Sequence, residues 1–114
     1  MSKIHLEISA ERITATSDEI LDAAMISEIR SAMGESYRSL ILDLSKTRSI
    51  DPSDKLLLEE FGQTIISDSK SLIFVSDDPK MIAQLHESWN VVPTLPEARD
   101  FLEMEEIERK LGLR

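Results

Sequence analysis

Asp51-Pro52-Ser53-Asp54 places one hydroxyl between two carboxylates, directly ahead of a helical run of apolar residues. A serine there could accept phosphate, because the open N–H groups and the dipole of a helix N-terminus tolerate an anion. Phosphate on Ser53 would add about −1.5 to −2 charge beside Asp51 and Asp54, and could break a docking surface by repulsion. The same four residues also make a plain helix start, with Asp51 as N-cap, Pro52 at the first helical position and Asp54 at the third. Asp43 ends an apolar run, where some phosphorylation switches carry an acceptor carboxylate. Such a switch also needs an acidic pair after its first strand and a Lys after its last, and neither is present. Asp43 therefore reads as an acceptor for loop backbone N–H groups. Asp77 and Asp78 stand directly before Pro79, where capping accounts for them more simply than a divalent cation, and no third acid converges on them. His5 and His86 have no Ser-His-Asp or His-x-x-His surroundings and are expected at the surface.

Composition narrows the chemistry further. The 114 residues carry 13 basic and 22 acidic side chains, a net charge of −9. That field disfavours phosphate backbones and anionic headgroups, so neither nucleic acid nor a membrane surface is an expected partner. With no cysteine there is no disulfide, thiolate nucleophile or cysteine metal site. Gly34, Gly62 and Gly112 are isolated, so no glycine-rich phosphate cradle can form. Nothing assembles a nucleophile, a base and an orienting group. The expectation is a non-enzymatic chain without cofactor or metal. No signal-peptide core follows Met1-Ser2-Lys3 and no apolar run reaches membrane length, so the chain reads as one cytoplasmic domain over 1–114.

The elements that must position these residues follow from periodicity. Ile4, Leu6 and Ile8 alternate with polar residues, and Ile13 and Ala15 do so after a short connection, so residues 3–16 read as an antiparallel pair. Ser17-Asp18-Glu19 supplies helix-start signals for a helix over Asp22 to Met33, which Gly34 ends. Leu40 to Leu44 is apolar on both faces apart from Asp43 and reads as a central strand covered on both sides. A second helix follows Asp54 and runs to about Ile66, burying Leu57, Leu58, Phe61 and Ile65. Leu72 to Val75 is another buried strand. The third helix opens at Asp77-Asp78-Pro79 and shows a face of Met81, Ile82, Leu85 and Trp89. Val91-Val92 is an edge strand. Thr94 and Glu97 have capping-box spacing ahead of a fourth helix with Ala98, Phe101, Leu102, Ile107 and Leu111. The acids Glu103 to Glu108 read as its solvated face, and Met104, Ile107 and Leu111 form an alternative apolar edge for a partner. A hairpin followed by alternating helices and strands indicates an α/β fold, a mixed sheet of about five strands packed with about four helices.

This order, together with Ile41-Leu42-Asp43-Leu44-Ser45, a short loop, and Asp51-Pro52-Ser53-Asp54, resembles the STAS domain family of sulfate transporters and anti-sigma factor antagonists. Asp18-Glu19-Ile20-Leu21-Asp22 is similar to the family's segment before its first helix. The family has Asp-Ser-Ser-Gly at the head of its second helix. Here Pro52 stands at the acceptor position, with Ser53 next and Asp54 in place of Gly. The resemblance implies a regulator that docks a protein partner, an anti-sigma factor or serine kinase, through Thr47, Ser49, Ile50, Asp51, Pro52, Ser53 and Asp54. Ser53 is then the one phosphorylatable residue left at the motif, and Asp54 could act as a standing negative charge. The alternative is a constitutive accessory subunit of a transporter or of a stress-signalling scaffold.

Overall fold

The computed structural model describes residues 4–113. Lys3, where the expected antiparallel pair begins, lies outside them, as do Met1 and Ser2. β1 (Ile4–Ile8) and β2 (Arg12–Ser17) pair antiparallel, with Leu6 opposite Ala15. β4 (Ser39–Asp43), β6 (Leu72–Val75) and β7 (Asn90–Val92) extend the sheet in parallel, in the order β1-β2-β4-β6-β7. α1 (Ala23–Met33), α2 (Lys55–Ser67) and α3 (Pro79–Ile82) lie on the crossovers. α4 (Leu95–Lys110) closes the order.

The sheet is covered on both faces, which is why β4 and β6 are buried throughout. Ile13, Leu40, Leu42 and Phe74 meet the faces of α1 and α2 in one core cluster, with Ile26, Ile29, Phe61 and Ile65. Ile41, Ile73 and Val75 point the other way, against Ala98 and Leu102 of α4. Each of the larger of these side chains contributes about 1.5–3 kcal/mol on burial. These layers hold the C-terminal end of β4, and the loop after it, in place.

Several local expectations are corrected. The signals at Ser17-Asp18-Glu19 do not start α1. Asp22 does, accepting the Met25 N–H at 3.1 Å, and Ile20–Leu21 form a two-residue strand β3 beforehand. β3 pairs in parallel with β5 (Ser49–Ile50) to make a second, two-stranded sheet. Strands this short carry no readable period. α2 begins at Lys55, after Asp54 as expected, but the capping positions read from Asp51 belong to a separate 3-10 turn over Pro52–Asp54. Helix three ends at Ile82, so Leu85 and Trp89 are buried from the following turns rather than from a helix face. The Trp89 ring stacks on Phe74 at 4.9 Å. On α4, Ile107 and Leu111 are exposed by 57% and 68%. At 100° per residue, Ile107 lies half a turn away from Ala98, so the two cannot share a buried face.

Candidate functional site

Asp43 ends β4, and its Oδ1 accepts the Ser45 N–H at 2.9 Å. The carboxylate thus turns the chain out of the sheet, as its position suggested. The Thr47 N–H returns to Leu44 O at 3.0 Å. The Thr47 hydroxyl donates to Asp18 O at 2.7 Å, and the Arg48 N–H to Glu19 O at 2.8 Å. Next, β5 pairs with β3, and the Ile50 N–H donates to Gln84 Oε1 at 3.1 Å. The Asp51 N–H closes the pairing on Leu21 O at 2.9 Å. The loop is thereby tied to the segment before α1 on one side and to the turn after α3 on the other.

Asp51 behaves as a cap. Its Oδ1 accepts from the Ser53 N–H at 3.1 Å and from the Ser53 hydroxyl at 2.8 Å. Pro52 occupies the first position of the 3-10 turn, where a missing N–H costs nothing. Asp54 does something its spacing does not reveal. Its side chain makes no cap bond to α2; its Oδ2 accepts the Ala23 N–H at 2.9 Å, the first N–H of α1. Together Asp22 and Asp54 satisfy two of the open donors at that helix start. The Asp54 charge is therefore directed at α1 and its dipole, and is only half-exposed.

The seven residues expected to form the docking surface separate by burial. Thr47 and Ile50 are each 3% exposed and act as supports beneath the loop. Ser49, Asp51 and Asp54 are half-buried, and Pro52 and Ser53 are exposed. Leu56, the second residue of α2, is 64% exposed. It lies outside the buried face expected from the sequence, which comprises Leu57, Leu58, Phe61 and Ile65. Gln84 was missed because a partner 34 residues away leaves no local signal.

The other candidates resolve locally. Asp78 caps α3 by accepting the Lys80 N–H at 3.0 Å, while Asp77 is exposed. His86 Nδ1 lies 2.7 Å from the Ser88 hydroxyl and accepts the Ser88 N–H, an exposed turn contact. His5 is exposed on β1. Thr94 accepts the Glu97 N–H at 3.4 Å and donates its hydroxyl to the Glu97 carboxylate at 2.9 Å. Among the described residues, no three His, Asp or Glu side chains are grouped to hold a metal ion, and no helix is long and apolar enough to cross a membrane.

No protein-family model matches the chain, and no curated protein matches it in sequence. Solved structures do match in shape. The anti-sigma factor antagonist SpoIIAA in its unphosphorylated form superposes with a TM-score of 0.70 at 17% identity, over 89% of this chain and 98% of that one. A Ser-to-Glu variant of RsbS from Moorella thermoacetica gives 0.71 at 16% identity, over 90% and 97%. A Thermotoga maritima protein described as an anti-sigma factor antagonist gives 0.67 at 15% identity, over 88% and 94%. At these identities the likeness is one of fold. The mixed five-stranded sheet with four helices is STAS-like.

Proposed function

We infer that residues 1–114 form a single STAS-like domain that acts by binding another protein, as a non-enzymatic regulator of the anti-sigma factor antagonist type. The partner we assign is an anti-sigma factor or related serine kinase, docked on the loop and helix start at 47–54 in the cytoplasm of a bacterium. One observation carries this reading. The loop after β4 is braced from beneath by Thr47, Ile50 and Gln84, and it holds Pro52 and Ser53 outward at the head of α2. A braced, exposed turn is a surface that a partner can read with little ordering cost.

Pro52 has no hydroxyl, so covalent control at this turn falls to Ser53. Its hydroxyl already donates to Asp51 at 2.8 Å. A phosphate there removes that hydrogen bond and sets a dianion against the Asp51 carboxylate, which would push the turn out of its docked shape. The test has two steps. The tagged chain is purified from its native cells and bound proteins are identified. Any kinase recovered is then incubated with the chain and ATP. Recovery of an anti-sigma factor or serine kinase, with phosphate on Ser53, is the expected result; phosphate confined to Ser49 or Thr47 would remove Ser53 from the switch.

The second reading, a constitutive subunit of a transporter or stress-signalling scaffold, draws on Asp54. Its carboxylate ties the turn to α1, and a turn fixed in this way suits a contact that never switches. Stable co-purification with such an assembly, with no phosphate on the chain, would favour it.

A further inference from the structure

At the end of the sheet away from this loop, where β4 and β6 begin, two hollows of about 210 and 320 Å³ share Ser69, Lys70 and Arg109. They lie between the turn after α2 and the last turns of α4. The smaller one gathers Arg38, Lys70, Arg109 and Lys110, four of the chain's 13 basic side chains, against Glu11 and Glu106, two of its 22 acidic ones. Glu106 also faces Arg12, at 3.8 Å. In a chain of net charge −9, a concave cluster of opposite sign concentrates anions locally.

The larger hollow has a different character. Ile66, Leu72 and Trp89 give it an apolar wall. Ser71 lines it as well and is 2% exposed, and its hydroxyl has no hydrogen-bond partner among the described residues. A buried hydroxyl without a partner is costly, so this wall is not fully satisfied by the protein itself. Glu105, on the same wall, has an interaction of its own. An apolar wall and an adjoining cationic mouth are the parts of a site for a small amphiphilic anion.

We propose that the joined hollows bind a small phosphate monoester with a planar or apolar body. The phosphate sits among Arg38, Lys70, Arg109 and Lys110, where guanidinium forks favour phosphate oxygens. The body lies against Leu72 and Trp89. This site is separate from the docking loop and does not depend on the identity of the protein partner.

Trp89 is the chain's one tryptophan, so its fluorescence reports on the site directly. The full chain is titrated with phenyl phosphate, exciting at wavelengths where the ligand does not absorb. The expected result is a saturable change in Trp89 emission, with inorganic phosphate binding at least about tenfold more weakly. Lys70→Gln and Arg38→Gln should each raise the Kd about fivefold or more while leaving the far-ultraviolet dichroism unchanged. Lys70 is exposed, so its variant remains informative should the Arg38 variant fail to fold. Absence of saturation, or an unchanged Kd in Lys70→Gln, overturns the proposal. Equal affinity for inorganic phosphate also overturns it, because the apolar wall then takes no part in binding. A polyglutamate peptide that competes more tightly than phenyl phosphate would make the patch a protein-docking surface instead.

Discussion

Asp54 accepts the Ala23 N–H at 2.9 Å, 31 residues back in the chain, while its own N–H returns to Asp51 O. Replacing it with Ala leaves the first donor of α1 without its acceptor, a loss comparable to that of an N-cap. Asp54→Ala should therefore destabilise the fold by about 1 kcal/mol, measured by urea denaturation, and Asp54→Asn by less, since the amide oxygen can still accept. If Asp54 instead served as a standing negative charge for the partner, Asp54→Asn would lower affinity while sparing stability. The contrast with Asp51 explains what was readable at this scale. Asp51 bonds Ser53, two residues on, and such turns are written in the local sequence. The Asp54 contact depends on the path of 31 intervening residues, so spacing placed it only at the start of α2. Pro52 adds a second residue-level test: if the proposed kinase acts on this turn, Pro52→Ser adds a hydroxyl directly after Asp51, and phosphate should then appear on residue 52 in preference to Ser53, as mapped by mass spectrometry.

α2 packs closely on the Trp89 turn at Gly62. A Cβ on Gly62 would lie 2.9 Å from both Leu72 Cδ2 and Trp89 Cζ2. The Leu72 methyl can move, but the indole is stacked on Phe74 and cannot. Gly62→Ala gains about 1 kcal/mol of helix propensity and loses about 1–3 kcal/mol to overpacking. The expected net effect is destabilisation, with altered Trp89 fluorescence in the folded protein. The β3–β5 ladder offers a second test. Thr47→Val removes the hydroxyl bonded to Asp18 O, and the Arg48 and Asp51 amides, which close the same ladder, should exchange with solvent faster than those of β4. The main strands and helices were legible from apolar periods, from continuous apolar runs such as Leu72 to Val75, and from capping residues. β3 and β5 span two residues each and are defined only by each other. On α4, grouping Ile107 and Leu111 with Ala98 ignored the accumulated rotation, and the structure leaves Met104, Ile107 and Leu111 as a stripe of their own.

Charge is the property that belongs to the whole molecule. The net of −9 is not spread evenly: four cations gather at the start of β4 and the end of α4, while Asp18, Glu19, Asp22, Asp51, Asp54, Glu59 and Glu60 lie along the elements that carry the 47–54 loop. The same elements carry the exposed Lys46, Arg48 and Lys55, so a partner that docks on this loop meets a surface that is net acidic but mixed around the exposed Leu56, and its own surface should be net basic with an apolar centre. Long-range attraction of that kind acts mainly on the rate of encounter, and it fades once the screening length falls below the spacing of the charges. Raising ionic strength from about 0.05 to 0.5 M should therefore slow association about tenfold or more, with a much smaller change in dissociation, as read by surface-binding kinetics. Leu56→Ala should show the opposite split, faster dissociation with little change in association, because a central apolar contact forms only after docking. If both rates ignore salt, the net acidic surface takes no part in recognition and the apolar centre alone must account for the affinity. Phosphorylation of Ser53 would then act by displacing the turn rather than by altering the field, and a neutral side chain of similar bulk at residue 53 would block docking as well as phosphate does.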